Sequence, residues 1–152
     1  MTSNAPSNPR QAPRAAQAGD ELPVIQLPPI SRTTLALFAG ASGDHNPIHL
    51  DVDFACSSGK PDVFAQGMLG MAWLGRLLTQ WQPQACLRSF TARFQGILQV
   101  GDSISCVGHV TERFLDDGVP CVRVELRAVD QAGETKIVGQ AVLRLPVAQQ
   151  RA

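Results

Sequence analysis

The sequence predicts an α+β fold: a single domain in which an antiparallel sheet wraps around one long buried helix. Three observations carry that expectation. Between Gln66 and Trp81, the residues Met68, Leu69, Met71, Ala72, Trp73, Leu74, Leu77, Leu78 and Trp81 cover almost every side of a helical wheel. A helix that apolar has to be buried on most of its faces. After Pro83 the apolar period changes to two: Phe90, Ala92 and Phe94, then Val122, Val124, Leu126 and Ala128, then Ile137, Gly139, Ala141, Leu143 and Leu145 alternate with polar residues. That is the pattern of strands with one face in the core and one in water. Asp116-Asp117-Gly118 and Gln131-Ala132-Gly133 are turn sequences that join successive strands as hairpins. A buried helix followed by a half-buried sheet is satisfied when the sheet curls around the helix.

The elements follow in order. Residues 1–19 are rich in Ala, Pro, Ser, Asn, Gln and Arg and lack apolar periodicity, so they read as a disordered leader. A mitochondrial presequence is the functional alternative, opposed by three prolines and a missing apolar face. The domain proper is expected over 20–147, with 148–152 as a C-terminal tail. Pro23 to Pro29 is a short edge strand at best. Ser31 is a good N-cap, and Leu35, Leu37, Phe38 and Ala41 follow near helical spacing, with Gly40 and Gly43 closing the helix. Asp51 caps a second short helix that turns Phe54 and Ala55 inward, and 57–62 is a loop. In the long helix, Gly67, Gly70 and Gly75 each cost ~1 kcal/mol of helix propensity relative to alanine. Close approach by another backbone or a ligand would compensate. Ser103 to Phe114 forms a further strand, so the second half reads as an antiparallel meander.

Composition removes several function classes. At 152 residues the chain makes one domain. A formal net charge of zero gives no basis for a nucleic-acid or membrane-surface partner. The basic residues are nearly all arginine, Lys60 and Lys136 being the lysines, a weak hint of phosphate recognition. Cys56, Cys86, Cys106 and Cys121 show no C-x-x-C spacing and read as reduced thiols of a cytoplasmic protein. No apolar run reaches the ~20 residues of a spanning helix.

The chemistry concentrates in Ala41-Ser42-Gly43-Asp44-His45-Asn46-Pro47-Ile48-His49-Leu50-Asp51. Asp44 and His49 are five residues apart, a spacing that neither a helix nor a strand converges on one small atom. A loop pinned at Asn46-Pro47 folds back and aims both side chains at one point. An acid/base pair sharing one water is what adding water to a double bond, or removing it, requires. Asp44, His45 and His49 are also metal-ligand types, but no further His or Cys cluster completes a site, so no metal is expected.

The stretch Phe38 to Asp51 resembles the signature of the MaoC-like dehydratases, the (R)-specific enoyl-CoA hydratase family. Gln66-Gly67-Met68-Leu69 resembles the glycine-methionine-leucine that opens the family's buried helix, and Arg93-Phe94 through Val100-Gly101-Asp102 its aromatic strand and Gly-Asp. The likeness spans roughly Asp20 to Pro146. It implies a hot-dog fold, a homodimer or a heterodimer with another hot-dog subunit, and an acyl-thioester substrate. Coenzyme A or carrier phosphopantetheine would enter as part of that substrate, with no other cofactor. Asp44 and His49 match the family's catalytic pair. The Gly67 amide, at a helix N-terminus, is the candidate donor to the thioester oxygen. Ser42 and Gly43 would shape the approach and Asn46 brace the loop. Gln66 and Met68 flank the donor, and Gly70 and Gly75 would leave room for an acyl chain. Many members carry histidine where this chain has Gln66. The expected reaction is (R)-specific hydration of trans-2-enoyl thioesters and its reverse. Rival readings are a subunit of a heteromeric dehydratase with little activity alone and, less favoured, a thioesterase. The last usually places a carboxylate on the buried helix, and Gly67 to Trp81 contains no Asp or Glu.

Overall fold

The structure, a computed structural model, describes residues 14–146. The long helix, α3 (Gly67–Trp81), lies against a five-stranded, wholly antiparallel sheet that curls around it. This is the hot-dog arrangement. The strands are β1 (Ile25–Gln26), β2 (Leu87–Phe94), β3 (Ser105–Asp116), β4 (Val119–Val129) and β5 (Thr135–Arg144), in the spatial order β1-β3-β4-β5-β2. The expected meander therefore holds for β3 to β5 only. Strand β2 pairs with β5 at the far edge, because the connection 95–104 crosses beneath the start of α3, where Ala65 N donates to Leu98 O (2.9 Å). That crossover puts a sheet edge on each flank of the helix.

Alternation settles which face of each strand is buried. Val122, Val124, Leu126 and Ala128 of β4 are all buried, as are Ile137, Ala141 and Leu143 of β5. They meet Leu69, Leu74, Leu77, Leu78 and Trp81 of α3 in one core. The hairpin between β3 and β4 turns on Asp117 (φ 49°) and Gly118 (φ 78°), both positive as a two-residue primed turn demands. Curling has its own requirement. Gly108, Leu126 and Gly139 are cross-strand neighbours, and a Cβ on Gly108 would lie 2.8 Å from Leu126 Cδ2 and 3.2 Å from the Glu125 carbonyl. The missing side chains let the Leu126 side chain sit in the fold of the sheet.

Ahead of the sheet, α1 (Arg32–Ser42) starts where Ser31 Oγ accepts from Thr34 N (3.1 Å) and buries Leu35 and Ala39. Gly43 ends it in the left-handed region, at φ 77°. Gly40 lies inside the helix and takes no part in closing it. The short helix α2 (Val52–Ser57) begins at Asp51, whose Oδ1 accepts from Phe54 N (3.0 Å). Ala55 points inward as expected, but Phe54 is exposed, since a helix of under two turns buries a single position here.

Other expectations need correction. The leader does not extend to Gly19. Arg14 N donates to Gln82 Oε1 and Gln82 Nε2 donates to Arg14 O (both 2.8 Å), Ala16 is buried, and Gly19 N bonds Val110 O (2.8 Å). The fully buried amide of Gln82 explains this docking: it needs polar partners, and the Arg14 backbone supplies them. Residues 1–13 and the tail 148–152 lie outside the described residues. Helix α3 is not covered all round, for Met68 and Ala72 are exposed. Cys86, Cys106 and Cys121 are buried and free, whereas Cys56 is exposed. His109 stands on the outer face of the sheet, 3.9 Å from Glu125. No helix among the described residues is long and apolar enough to cross a membrane.

The packing at Gly108 makes a prediction contrary to strand propensity. Valine favours strands over glycine, yet Gly108→Val forces a side chain against Leu126 and the Glu125 carbonyl. The variant is expected to lose about 1–3 kcal/mol of stability, read as a lowered urea midpoint.

Candidate active site

The loop between α1 and α2 is held almost entirely by its own short side chains. Ser42 Oγ donates to Phe38 O (2.7 Å) and accepts from Asp44 N (3.2 Å), tying the loop's entry to the last turn of α1. Asn46 caps a single 3-10 turn, Pro47–His49: its Oδ1 accepts from Ile48 N (3.1 Å), and Pro47 occupies the first position, where no N–H is needed. His49 N and Asp51 N close the turn on Asn46 O (3.1 Å) and Pro47 O (2.8 Å). Asn46 thus braces the loop through its backbone contacts.

This turn buries the His49 ring and leaves Asp44 half-exposed above it. Nδ1 of His49 lies 2.7 Å from the Phe64 carbonyl, and the ring packs edge-on to the Phe64 ring at 5.1 Å. A carbonyl oxygen can only accept, so Nδ1 carries the proton in the neutral ring and Nε2 keeps its lone pair. Nε2 faces Asp44 Oδ2 at 3.9 Å. That is too long for a direct hydrogen bond, but an oxygen about 2.8 Å from each atom closes the triangle. The two side chains can therefore share one water-sized group.

Directly after Phe64 the chain reaches the start of α3. Gln66, the N-cap residue, makes no side-chain cap to the helix; its side chain is fully buried and Nε2 donates to Leu35 O (3.3 Å) in α1. Its Oε1 is buried without a partner among the described residues. The Gly67 N–H has no acceptor among them either, and the residue is exposed. A Cβ on Gly67 would meet the Phe94 ring at 3.2 Å, so glycine here lets an aromatic side chain of β2 lie against the helix start. Met68 is exposed beside it.

The two deeper glycines behave differently from the expectation of free space. At Gly70 a Cβ would fall 2.3 Å from Ile137 Cδ1 and 2.7 Å from Leu98 Cδ1, so core methyl groups already occupy the gap. At Gly75 the nearest atom is Phe90 Cε1 at an ordinary 3.6 Å. The structure brings together Ser42, Gly43, Asp44, Asn46 and His49 in one loop and sets Gln66, Gly67 and Met68 at the adjoining helix start. Gly70 faces the core. Sequence reasoning missed the Phe64 carbonyl, the Leu35 carbonyl and the Phe94 ring over Gly67. The carbonyls carry no residue-type signal, whereas Phe94 was visible as an aromatic of the strand.

A sheet curled around a buried helix, with Asp44 and His49 facing each other in the loop between α1 and α2, is the frame of a hot-dog hydro-lyase. The profile described as MaoC like domain matches residues 14–132, and the chain belongs to this family. It is an enzyme of the hydratase/dehydratase type. The (R)-specific enoyl-CoA hydratase of Aeromonas caviae is 31% identical over 114 residues, covering 74% of this chain and 84% of the relative. The corresponding enzyme of Rhodospirillum rubrum is 27% identical over 124 residues, covering 77% and 81%. Among solved structures, the A. caviae (R)-hydratase involved in PHA biosynthesis superposes with a TM-score of 0.74 at 26% identity, covering 88% of this chain and 99% of that one. The ChsH1-ChsH2 complex of Mycobacterium tuberculosis shares the fold, with a TM-score of 0.73 at 22% identity and coverage of 85% and 98%.

The bracing role of Asn46 is testable by Asn46→Ala. Loss of the cap on Ile48 N–H should cost about 0.5–2 kcal/mol, measured by thermal unfolding.

Proposed function

We propose that this enzyme adds water to trans-2-enoyl thioesters to give (R)-3-hydroxyacyl thioesters, and catalyses the reverse dehydration. The observation that carries the reading is the Asp44–His49 pair, 3.9 Å apart with Nε2 as the basic nitrogen. The (R) sense and the enoyl substrate are supported by the named relatives.

In the hydration direction one water sits between Asp44 Oδ2 and His49 Nε2. The pair removes a proton as the water oxygen bonds to C3, and the C2–C3 π electrons move toward C2 and the thioester carbonyl. The same proton is then delivered to C2. The addition balances on the water alone and calls for no resident metal or redox group. The Gly67 N–H, unpaired within the described chain, would hydrogen-bond the thioester oxygen where negative charge develops. Removing one such donor in other enzymes costs about 2.7–4 kcal/mol of transition-state stabilisation. Coenzyme A or a carrier's phosphopantetheine arm enters with the substrate. The reduced thiols fit a cytoplasmic setting.

A second hot-dog subunit belongs in this reading. Strand β2 is a sheet edge eight residues long, without a second strand partner among the described residues, and ends at the exposed Phe94. Such an edge is a ready template for another strand. We assign it to a second subunit, a like copy or a related chain. Retention of both Asp44 and His49 makes this chain the active member in either assembly.

The test follows enoyl-thioester absorbance across a chain-length series for wild type, Asp44→Asn and His49→Ala. Each substitution is expected to lower turnover at least ~100-fold, the contribution of a positioned acid or base. Near-normal turnover in either variant removes the mechanism. Release of free thiol without loss of enoyl absorbance would instead mark a thioesterase.

A further inference from the structure

On the β1 side of α3, the segment leading into α1 and the helix enclose a groove of about 1080 Å³. Its apolar walls include Val24, Ile25, Leu27 and Ile30 on one side and Trp73 on the other, and Arg76 is the one charged residue in its lining. None of the Asp44–His49 loop and none of the helix start at Gln66 to Met68 contributes to it.

Arg76 is out of keeping with its surroundings. It is half-buried and the one charged residue of α3, one turn after Trp73 and one turn before Gln80, so the three share a face. Its Nε is buried and has no hydrogen-bond partner among the described residues, and no carboxylate among them pairs with the guanidinium. The neighbouring Cys106 thiol does not neutralise it: burial pushes that thiol up to about 11, outweighing the pull of Arg76, and it stays uncharged near neutral pH. A buried Nε left without an acceptor carries a desolvation cost that an anion beside it would offset. A fork of N–H donors beside apolar walls matches a planar carboxylate at the end of an apolar chain, and Gln26, Thr34 and Gln80 add polar groups to the lining. The N-terminal residues 1–13 contain no Asp or Glu and offer no side-chain carboxylate for it.

We propose that this groove binds a single-chain amphiphile bearing one carboxylate, its alkyl chain along Trp73, Val24 and Leu27 and its head on Arg76. The site stands independently of the hydratase reading, and its test needs no turnover. The full chain is titrated calorimetrically with decanoate below its critical micelle concentration, and with decan-1-ol as the uncharged counterpart. Trp73 fluorescence is followed in parallel in a Trp81→Phe background.

Saturable decanoate binding that perturbs Trp73 is expected, with decan-1-ol at least tenfold weaker. Arg76→Gln should weaken decanoate at least tenfold while leaving turnover of a short enoyl thioester unchanged. The comparison of decanoate with decan-1-ol on wild type decides the point if Arg76→Gln fails to fold. Equal affinity for the two probes, no saturable binding, or decanoate binding that is the same in a folded Arg76→Gln variant each overturn the proposal. So does an assembly size that falls in Arg76→Gln, which would give the groove to a second copy of the chain.

Discussion

The constraint on which this molecule depends is the coverage of α3. A helix carrying Leu69, Leu74, Leu77, Leu78 and Trp81 cannot rest on a flat sheet, since a flat sheet reaches one face and leaves the others in water. Each of those side chains contributes roughly 1.5–3 kcal/mol when fully buried, so the incentive to wrap exceeds that of any single polar contact. Wrapping asks two things of the sheet. It needs a strand on each flank, which the crossover between β2 and β3 supplies, and it needs slack in the middle, which Gly108 and Gly139 supply around Leu126.

The same coverage assembles the site. Phe64, Ala65 and Gln66 are the last residues before α3, and each ties the helix start to a different element. The Phe64 carbonyl takes the His49 N–H, Ala65 N bonds Leu98 O of the crossover, and Gln66 Nε2 reaches Leu35 O of α1. Three consecutive residues thus set His49, the sheet and α1 in one frame, immediately ahead of the Gly67 N–H, which has no acceptor among the described residues. The ties that hold the fold and the one that orients the His49 ring share the same short segment. A buried Gln66 whose Oε1 has no partner among the described residues is the loosest joint in that frame.

How much of this was legible in the sequence follows from what kind of signal each feature leaves. Val122 to Ala128 and Ile137 to Leu145 write their buried faces directly into a period of two, and Asp117-Gly118 writes its turn into two residues that tolerate positive φ. The turn that carries Asp44 and His49 is likewise local, because the Asp44 and Asn46 side chains bond backbone two residues on and Pro47 presets the first position of the turn. The pairing of β2 with β5 left no such trace. It depends on a ten-residue connection passing under the helix, and strand pairing across 43 or more residues is a tertiary outcome. The docking of Arg14 to Ala16 was hidden for a similar reason: its partner, the Gln82 amide, lies 68 residues on. Phe64 acts through its carbonyl, which every residue possesses.

Gly70 is the case in which chemistry and packing give opposite readings of one residue. Beside an acyl-thioester site, a glycine on the buried helix reads as space kept for substrate. In the folded chain that space holds the Cδ1 methyls of Ile137 and Leu98, both on side chains that form the core. An acyl chain entering there has to displace those methyls, and a well-packed core resists such shifts at about 1–3 kcal/mol. Gly75 imposes no comparable penalty, because Phe90 stands off at 3.6 Å and the position is only half-buried. Under the proposed function, then, the number of glycines on α3 would matter less to chain length than what each of them faces. Of the two, the Phe90 side of the helix would accommodate a longer acyl chain at lower cost.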